Sequence, residues 1–395
     1  MTSAPGGRTA AAATVLARRP AWAVIDHGAV ATNVALLAER ADPAALCAVV
    51  KADGYGHGAV EVACTALSAG ASWLAVAITA EGAALRAAGI DAPVLVLGEP
   101  APDEWDDVVS LDLRPTVHGG RAVAGLGEAA ARHGVALPVH LKVDTGMHRI
   151  GVAPAEALAR ATEVVDHPAL VLEGVWTHCP VADEPGNPFT AGQGERFDAV
   201  VEELAAAGIR PPILHAANSA ATIDHPALHH DMVRCGIAVY GLDPSPALHG
   251  RLPLRPALQL AASVTAVRVV PAGEAVSYGL RRPCEVDTVV ATIPLGYADG
   301  VPRHLAAVDG KALVGGRRRP FAGTITMDQA MVDCGPAGTR EADTVAVGEE
   351  VVLLGRQGDA EVSVAEWAER LGTITYEITC GIGPRVPRRH IGGGA

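Results

Sequence analysis

Short apolar runs alternate with longer amphipathic segments along the first two thirds of the chain. The runs are rich in Val, Leu and Ile and are bounded by Gly, Pro or charged residues, which is typical of buried strands. Eight runs fit this description: LCAVVK, WLAVAI, PVLVLG, LRPTVH, PVHLKVD, VLEGVW, PILHA and DMVRCG. The segments between them predict helices, and several end on the glycine that helix C-termini favour.

Eight strand–helix repeats with apolar strands predict an α/β fold, a parallel (β/α)8 barrel of the TIM type over residues 21–255. The segment AWAVIDHGAVATNVALLAER would lead into the first barrel strand with a helix. Residues 1–20 are rich in Ala and Arg and predict a disordered extension. From residue 256 to 395, shorter runs separated by Gly, Pro and Asp turns predict a mainly antiparallel β domain, with one helix at VAEWAERLG.

Composition narrows the classes of partner. The 395 residues carry a net charge of −13, which argues against nucleic acid and against an anionic membrane. No apolar run approaches the roughly 18 residues that cross a bilayer. The seven cysteines include no C-x-x-C pair and predict buried thiols in a reducing compartment, so we expect a cytoplasmic protein. The His-rich stretch DHPALHHDM matches no zinc-binding spacing, and we expect no metal.

Polar residues lie at the carboxyl ends of the predicted barrel strands, where this fold places its chemistry. In chain order they are Lys51, Lys142, Arg149, His178, Asn218, Ser219 and Arg234. Lysine is scarce, because only three of the 31 Lys and Arg residues are lysines. A desolvated lysine can lose its proton whereas an arginine cannot, so Lys51 is predicted to serve as an amine rather than as a charge.

The loops HAANSAA and VRCGIAVYG follow the last two predicted strands, where barrels of this type often bind a phosphate on backbone N–H groups. Ser219 adds a hydroxyl there, and Gly236 permits close approach of the backbone. Together with a lysine for a Schiff base and an arginine on the last strand, these loops indicate pyridoxal 5'-phosphate (PLP) as cofactor.

Eight motifs then point to one family. They are AVVKADGYGHG, HLKVDTGMHRIGV, THCPVADEP, AANSAA, MVRCGIAVYGL, AVSYG, IPLGYADG and ITMDQAMVD. Their sequence and order from residue 21 onward resemble the successive motifs of alanine racemase, a PLP-dependent family of fold type III. The resemblance implies a Schiff base between Lys51 and PLP. It also implies these cofactor-binding residues: Tyr55, Arg149, His178, Asn218, Ser219, Arg234, Gly236 and Ile237.

Within that set the resemblance implies distinct roles. Arg234 would face the pyridine nitrogen and keep it unprotonated, because arginine is an always-charged donor. His178 would link Arg234 to a catalytic tyrosine. Arg149 would bind the cofactor phenolate and the substrate carboxylate, and Lys142 matches a position that is often carbamylated.

The same resemblance implies catalysis by two bases, Lys51 and Tyr278, on opposite faces of an external aldimine. Met327, through its backbone, and Tyr297 would contact the small amino-acid substrate. Family members take the residues that match Tyr278 and Met327 from the partner subunit, which implies a homodimer with shared active sites. The expected reaction interconverts L- and D-alanine and supplies D-alanine for peptidoglycan.

One position departs from the family pattern. The stretch TCGIGPRVPRRH has Pro384 where many relatives carry a tyrosine beside the phosphate at the entrance. Strict alanine specificity is therefore open, and a serine or broad-specificity amino-acid racemase of the same fold is the alternative. A non-catalytic PLP carrier would lack AVSYG and ITMDQ, and a decarboxylase or aldolase would gain from a carboxylate rather than from Arg234 at the ring nitrogen.

Overall fold

The structure is a computed structural model that describes residues 15–16 and 18–392. It divides into a barrel unit, residues 28–256, and a β unit, which joins the residues before 28 to those after 256. The strands are β1 (Ala21–Asp26), β2 (Ala45–Val49), β3 (Trp73–Val76), β4 (Val94–Val96), β5 (Arg114–Val117), β6 (Leu137–Lys142), β7 (Leu170–Trp176), β8 (Ile213–His215), β9 (Met232–Cys235), β10 (Leu258–Ser263), β11 (Ala266–Val270), β12 (Thr288–Ile293), β13 (Lys311–Val314), β14 (Arg317–Pro320), β15 (Ala330–Pro336), β16 (Glu350–Gln357), β17 (Ala360–Val362) and β18 (Arg388–Ile391). The helices are α1 (His27–Ala41), α2 (Ala59–Ser68), α3 (Thr79–Ala87), α4 (Trp105–Ser110), α5 (Gly120–His133), α6 (Ala157–Val165), α7 (Pro188–Ala206), α8 (Ser219–Asp224), α9 (Arg340–Asp343), α10 (Val364–Leu371) and α11 (Thr375–Cys380).

Strands β2 to β9 form one parallel sheet in the order β8-β7-β6-β5-β4-β3-β2-β9. The sheet closes on itself, because Asp231 N donates to Leu214 O and Arg234 N donates to Ala217 O, each at 3.0 Å. All eight predicted strands are present, with helices between them, so the prediction of an α/β barrel is confirmed.

Apolar side chains fill the barrel strands because both faces of a parallel sheet are buried. The buried basic side chains on these strands are His140 and Lys142 of β6, His215 of β8 and Arg234 of β9. Burying such groups is costly unless each has polar partners. Their presence therefore marks the side of the barrel where chemistry is expected.

The β unit is mainly antiparallel, as predicted, in one sheet of seven strands and another of three. It includes β1, which pairs antiparallel with β10 and parallel with β18, whereas the predicted boundary assigns residues 21–26 to the barrel. The physical reason is the strict alternation of buried and half-buried positions along AWAVID, the period that a half-buried strand requires. The predicted helix is present as α10, where Ser363 Oγ accepts a hydrogen bond from Glu366 N.

Two other predictions meet the structure only in part. Most of the predicted disordered extension, residues 1–14 and 17, lies outside the described residues. Arg19, which belongs to the same segment, is fixed by an ion pair at 2.8 Å to the buried Asp299. The prediction of buried thiols is wrong for Cys64 and Cys380, which are exposed. No helix among the described residues has the length and apolar character to span a membrane.

Candidate active site

Lys51 follows β2 and begins a single turn, Lys51–Tyr55, with an unusual backbone. Residues 52–55 have φ between 51° and 61°, which is the left-handed region. Left-handed backbone costs roughly 1–2 kcal/mol for each residue with a side chain, so the turn needs external support. Glu81 provides part of it, because its Oε1 accepts a hydrogen bond from Ala52 N at 2.6 Å. The turn therefore holds one conformation directly after the strand that delivers the lysine.

Lys142, the last residue of β6, lies among other cations. Its side chain is 3% exposed. Burial and the positive charges of Arg234, Arg149 and Lys51 lower its pKa to about 7, against the opposing charge of Asp144. A large share of the Lys142 amines is therefore uncharged near neutral pH and able to act as a nucleophile.

Arg234 is the buried hydrogen-bonding centre of the barrel mouth. Its Nη atoms donate to the carbonyl oxygens of Thr177, His215 and Ala216 and face the Nδ1 atoms of His215 and His178. None of these bonds uses Nε, which stays available as a donor. Burial lowers the pKa of Arg234 to about 10, so the guanidinium is still charged at neutral pH.

His178 follows β7 and is anchored through its backbone, whose oxygen accepts from Gln193 Nε2 at 3.1 Å. Burial, and then the charges of Arg234, Lys142, Arg149 and Lys51, put the pKa of His178 well below its usual value. The ring is therefore neutral. Because a guanidinium only donates, His178 Nδ1, at 3.4 Å from Nη2, is the acceptor and the ring proton lies on Nε2.

Ser219, Gly236 and Tyr55 surround a small backbone cradle. Ser219 Oγ accepts from Gly236 N at 2.9 Å, and Ile237 follows as the first residue of a buried 3-10 turn. A Cβ atom on Gly236 would lie 2.4 Å from the Tyr55 hydroxyl, so only glycine fits without movement. Asn218 caps α8 by accepting from the third residue of that helix at 3.0 Å. Hydroxyls and N–H groups directed to one place suit an oxyanion.

Tyr278 lies in a tight turn of the β unit. Ser277, its neighbour, has φ of 69°, and the turn is tied to Thr324 by two hydrogen bonds, Ser277 Oγ to Thr324 O and Thr324 Oγ1 to Tyr278 O. The Tyr278 side chain is 73% exposed. The backbone at Tyr278 is thus fixed, whereas the described residues leave most of its ring uncovered.

Tyr297 and Met327 lie on two paired segments of the same unit. Tyr297 N donates to Thr326 O at 3.0 Å, and both side chains are largely exposed, 43% for Tyr297 and 52% for Met327. The segment of Tyr297 is organised by the fully buried Asp299, which accepts from Gly296 N and from Arg19.

A second arginine, Arg385, also binds Asp299, at 3.0 Å between Nε and Oδ1. It follows Pro384, which is exposed. Pro384 therefore lies next to Arg385, which helps Asp299 to organise the Tyr297 segment.

The structure brings the predicted barrel residues together in two groups. At the mouth of the barrel, the charges of Lys51, Arg149 and Arg234 lower the pKa of both Lys142 and His178. Tyr55, Asn218, Ser219, Gly236 and Ile237 form the adjoining cradle. Tyr278, Tyr297 and Met327 lie in the β unit. Among the described residues, no group of three or more His, Cys, Asp or Glu side chains has the arrangement of a metal site.

Several residues that support this site are absent from the predictions made from the sequence. His215 contacts Arg234 directly, and His140 and Glu173 lie behind it. The available signal was a histidine inside an apolar strand, since both PVHLKVD and PILHA carry one. Asp299 and Arg19 gave no usable signal, because they are 280 residues apart in the chain.

Known proteins match both units of this chain. The model of the alanine racemase N-terminal domain matches residues 25–244, and that of the alanine racemase C-terminal domain matches residues 257–390. An alanine racemase from Symbiobacterium thermophilum is 48% identical over 374 residues, which cover 94% of this chain and 97% of that protein.

Solved structures agree with the sequence matches. The alanine racemase from Streptomyces coelicolor A3(2) superposes with a TM-score of 0.89 at 41% identity, covering 97% of this chain and 100% of that one. The alanine racemase from Bacillus anthracis, solved with bound L-Ala-P, gives a TM-score of 0.87 at 38% identity over 95% and 96% of the two chains. With both domain models matched and this level of identity over nearly its whole length, the chain belongs to the alanine racemase family.

Proposed function

We propose that this chain is a PLP-dependent alanine racemase that interconverts L- and D-alanine in the cytoplasm and works as a homodimer. The observation that carries the proposal is the group formed by Lys51, His178 and Arg234, in which the buried Arg234 binds Thr177 O and, together with Lys51, lowers the pKa of His178. The names of the relatives support alanine as the substrate. D-Alanine made in this way would serve peptidoglycan synthesis.

The residues fit PLP. Ser219, Tyr55 and the backbone of Gly236 and Ile237 would bind the phosphate, because they present a hydroxyl-lined cradle that a Cβ atom would fill. Arg234 Nε would donate to the ring nitrogen and, being always charged, would keep that nitrogen unprotonated. When bound, PLP supplies the electron sink that makes the Cα proton of an amino acid removable.

Lys51 and Tyr278 would handle that proton on opposite faces. Lys51 Nζ must be neutral to accept it. Tyr278 Oη would act on the other face, and the proton on His178 Nε2 would be donated to its oxygen. The 73% exposure of Tyr278 supports the view that Tyr278 of the partner subunit completes each site.

Lys142 would be carbamylated. Its neutral amine can attack carbon dioxide and lose one proton to water, and the resulting carbamate would place a negative charge among Arg149, Arg234 and Lys51. Arg149 would then be oriented to bind the substrate carboxylate. Intact-mass analysis in bicarbonate buffer should show one added carbon dioxide, absent from Lys142→Met and retained in Lys311→Met.

The direct test is proton NMR of L-alanine with purified protein and PLP in deuterium oxide, followed by chiral chromatography. Loss of the Cα proton together with D-alanine supports the racemase. Binding of PLP without exchange in any amino acid would reject enzymatic function and leave a PLP carrier.

A serine or broad-specificity racemase is the second candidate, and Pro384 is the observation that favours it. An exposed proline beside Arg385 presents no phenol hydroxyl to narrow an entrance. A panel of L-amino acids separates the two candidates, since turnover of serine or larger substrates above that of alanine would select the alternative. Pro384→Tyr should then shift the preference back toward alanine.

A further inference from the structure

A chain of hydrogen bonds runs through the barrel core behind Arg234. Arg234 Nη1 lies 2.9 Å from His215 Nδ1, and His215 Nε2 lies 2.9 Å from His140 Nδ1. His140 Nε2 in turn lies 3.1 Å from Glu173 Oε2. Both imidazoles are fully buried, and aromatic rings flank them, with Trp176 stacked on His215 and Trp73 edge-on to His140. The chain thus joins the buried guanidinium to a carboxylate on β7.

The chemistry of the two ends fixes the direction of every bond. A guanidinium has no acceptor, so His215 Nδ1 must accept and the His215 proton must lie on Nε2. That proton points to His140 Nδ1, which must accept, so the His140 proton also lies on Nε2 and is donated to Glu173. Burial lowers the pKa of both histidines, with His215 well below the usual value, so both rings are neutral as this arrangement requires.

The backbone is shaped to make this chain. The register between β6 and β7 shifts between Val139 and His140, which leaves Glu173 as the extra residue of a bulge, and a bulge redirects a side chain. The next residue is Gly174, where a Cβ atom would lie 2.3 Å from His140 Nδ1. The bulge directs the Glu173 carboxylate toward the His140 ring, and the missing side chain of Gly174 leaves room for that ring.

The charge distribution explains why the chain is needed. Arg234 is a buried cation, and among the described residues no carboxylate forms an ion pair with it. An isolated buried charge is costly, and a direct carboxylate would compete for the orientation of the guanidinium. Glu173 instead accepts at the end of a chain of two neutral rings, whose hydrogen bonds polarise one another in the same direction. Arg114, with Nε 3.3 Å from Glu173 Oε2, anchors the far end.

We propose that Glu173 is a positioning residue for the reaction, acting through His140 and His215 to orient Arg234. The two histidines act as fixed Nε2–H tautomers that transmit this effect. The consequence for the cofactor rests on the proposed function, because it assumes that Arg234 Nε faces the PLP ring nitrogen. The direction of the chain does not depend on that assumption.

The first test needs no cofactor and no activity. Proton–nitrogen correlation spectra of the perdeuterated, 15N-histidine-labelled protein report which ring nitrogen carries the proton, and His140→Gln and His215→Gln assign the signals. We expect both rings to be neutral and protonated on Nε2 at pH 7. A proton on Nδ1 of either ring would overturn the proposal.

The second test uses the PLP-loaded enzyme and a matched pair of variants. Glu173→Gln keeps the shape and removes the charge, and it should lower kcat about tenfold, the scale of a hydrogen bond to a charged group, while KM changes little. The absorption spectrum of bound PLP should change as well, and Glu173→Asp should recover part of both effects. Glu203→Gln, an exposed glutamate on α7, is the control.

Wild-type kcat and an unchanged spectrum in Glu173→Gln would overturn the proposal. If the wild-type protein racemises nothing, the proposed function fails on its own. The tautomers measured in the first test still decide the direction of the chain in that case.

Discussion

The barrel mouth and the β unit supply their candidate catalytic groups in opposite ways. Arg234 is 3% exposed and bound by five hydrogen bonds, whereas Tyr278 is 73% exposed with only its backbone fixed. The barrel groups are preorganised within one chain by their own contacts. The β unit presents groups that the described residues leave largely uncovered. This difference supports the proposal that one half of the site is complete within a single chain and that a partner subunit supplies the other half.

The largest effect should come from the preorganised half. Lys51→Ala removes both the amine that would bind PLP and one of the two bases, so racemisation should fall by ~10⁴-fold or more. Chiral chromatography of alanine after incubation measures it. Lys311→Ala, which removes a lysine paired with Asp309 in the β unit, should keep full activity. A Lys51→Ala enzyme within tenfold of wild type would show that the amine is not used.

Removing the hydroxyl of the exposed Tyr278 should slow proton exchange in one enantiomer of alanine far more than in the other. Tyr278→Phe should lower the rate of deuterium exchange into L-alanine by about 10²–10³-fold, while D-alanine still exchanges through Lys51. Exchange must be followed separately for each enantiomer by NMR, because net racemisation needs both bases. Tyr376→Phe is the control. Equal loss for both enantiomers would argue against two bases on opposite faces.

The cradle offers a test with a moderate effect. Gly236→Ala introduces a Cβ atom 2.4 Å from the Tyr55 hydroxyl, so one of the two must move and the phosphate contacts are disturbed. We expect the Kd for PLP to rise about tenfold, equivalent to ~1.4 kcal/mol. Absorbance titration measures it, with Gly192→Ala in α7 as the control. An unchanged Kd for PLP would show that this cradle does not bind the phosphate.

The buried neutral histidines of the barrel offer a test of stability rather than of activity. Burial lowers the pKa of His140, His178 and His215, so below pH ~6.5 the unfolded chain binds protons that the native chain does not. Stability therefore falls as the pH decreases, by up to ~1.4 kcal/mol per histidine and pH unit. Urea unfolding between pH 7.5 and 5 should show this slope, reduced in His140→Gln. The exposed His249→Gln should keep the slope, and a flat profile in the wild type would contradict the burial argument.

The sequence predicted those parts of the fold that depend on local pattern. The eight barrel strands were visible as apolar runs, and Lys51, Ser219 and Arg234 were visible as polar residues at strand ends. The strand β1 was assigned to the wrong side of the boundary, because its alternation shows that it is half-buried but not which sheet it joins. Pairing with β10 and β18 brings together residues more than 230 positions apart.

The supporting residues of the site were harder to predict. His140 and His215 belong to different strands. Only the folded barrel brings His140 Nδ1 within 2.9 Å of His215 Nε2. Glu173 is aimed by a one-residue register shift that no periodicity reveals. Polar residues at the ends of strands could therefore be predicted from the sequence, whereas residues that meet only in the folded sheet could not.

The proposal that each active site takes Lys51 from one subunit and Tyr278 from the other is tested most directly with a heterodimer of two variants. Lys51→Ala and Tyr278→Phe subunits should each be inactive for L-alanine alone, and a tandem-tag purified heterodimer should contain one site with both residues intact. We expect about half of wild-type activity in that heterodimer, because one of its two symmetric sites would be complete. A heterodimer as inactive as its parents would mean that Lys51 and Tyr278 of the same chain form the site, and it would contradict sharing between subunits.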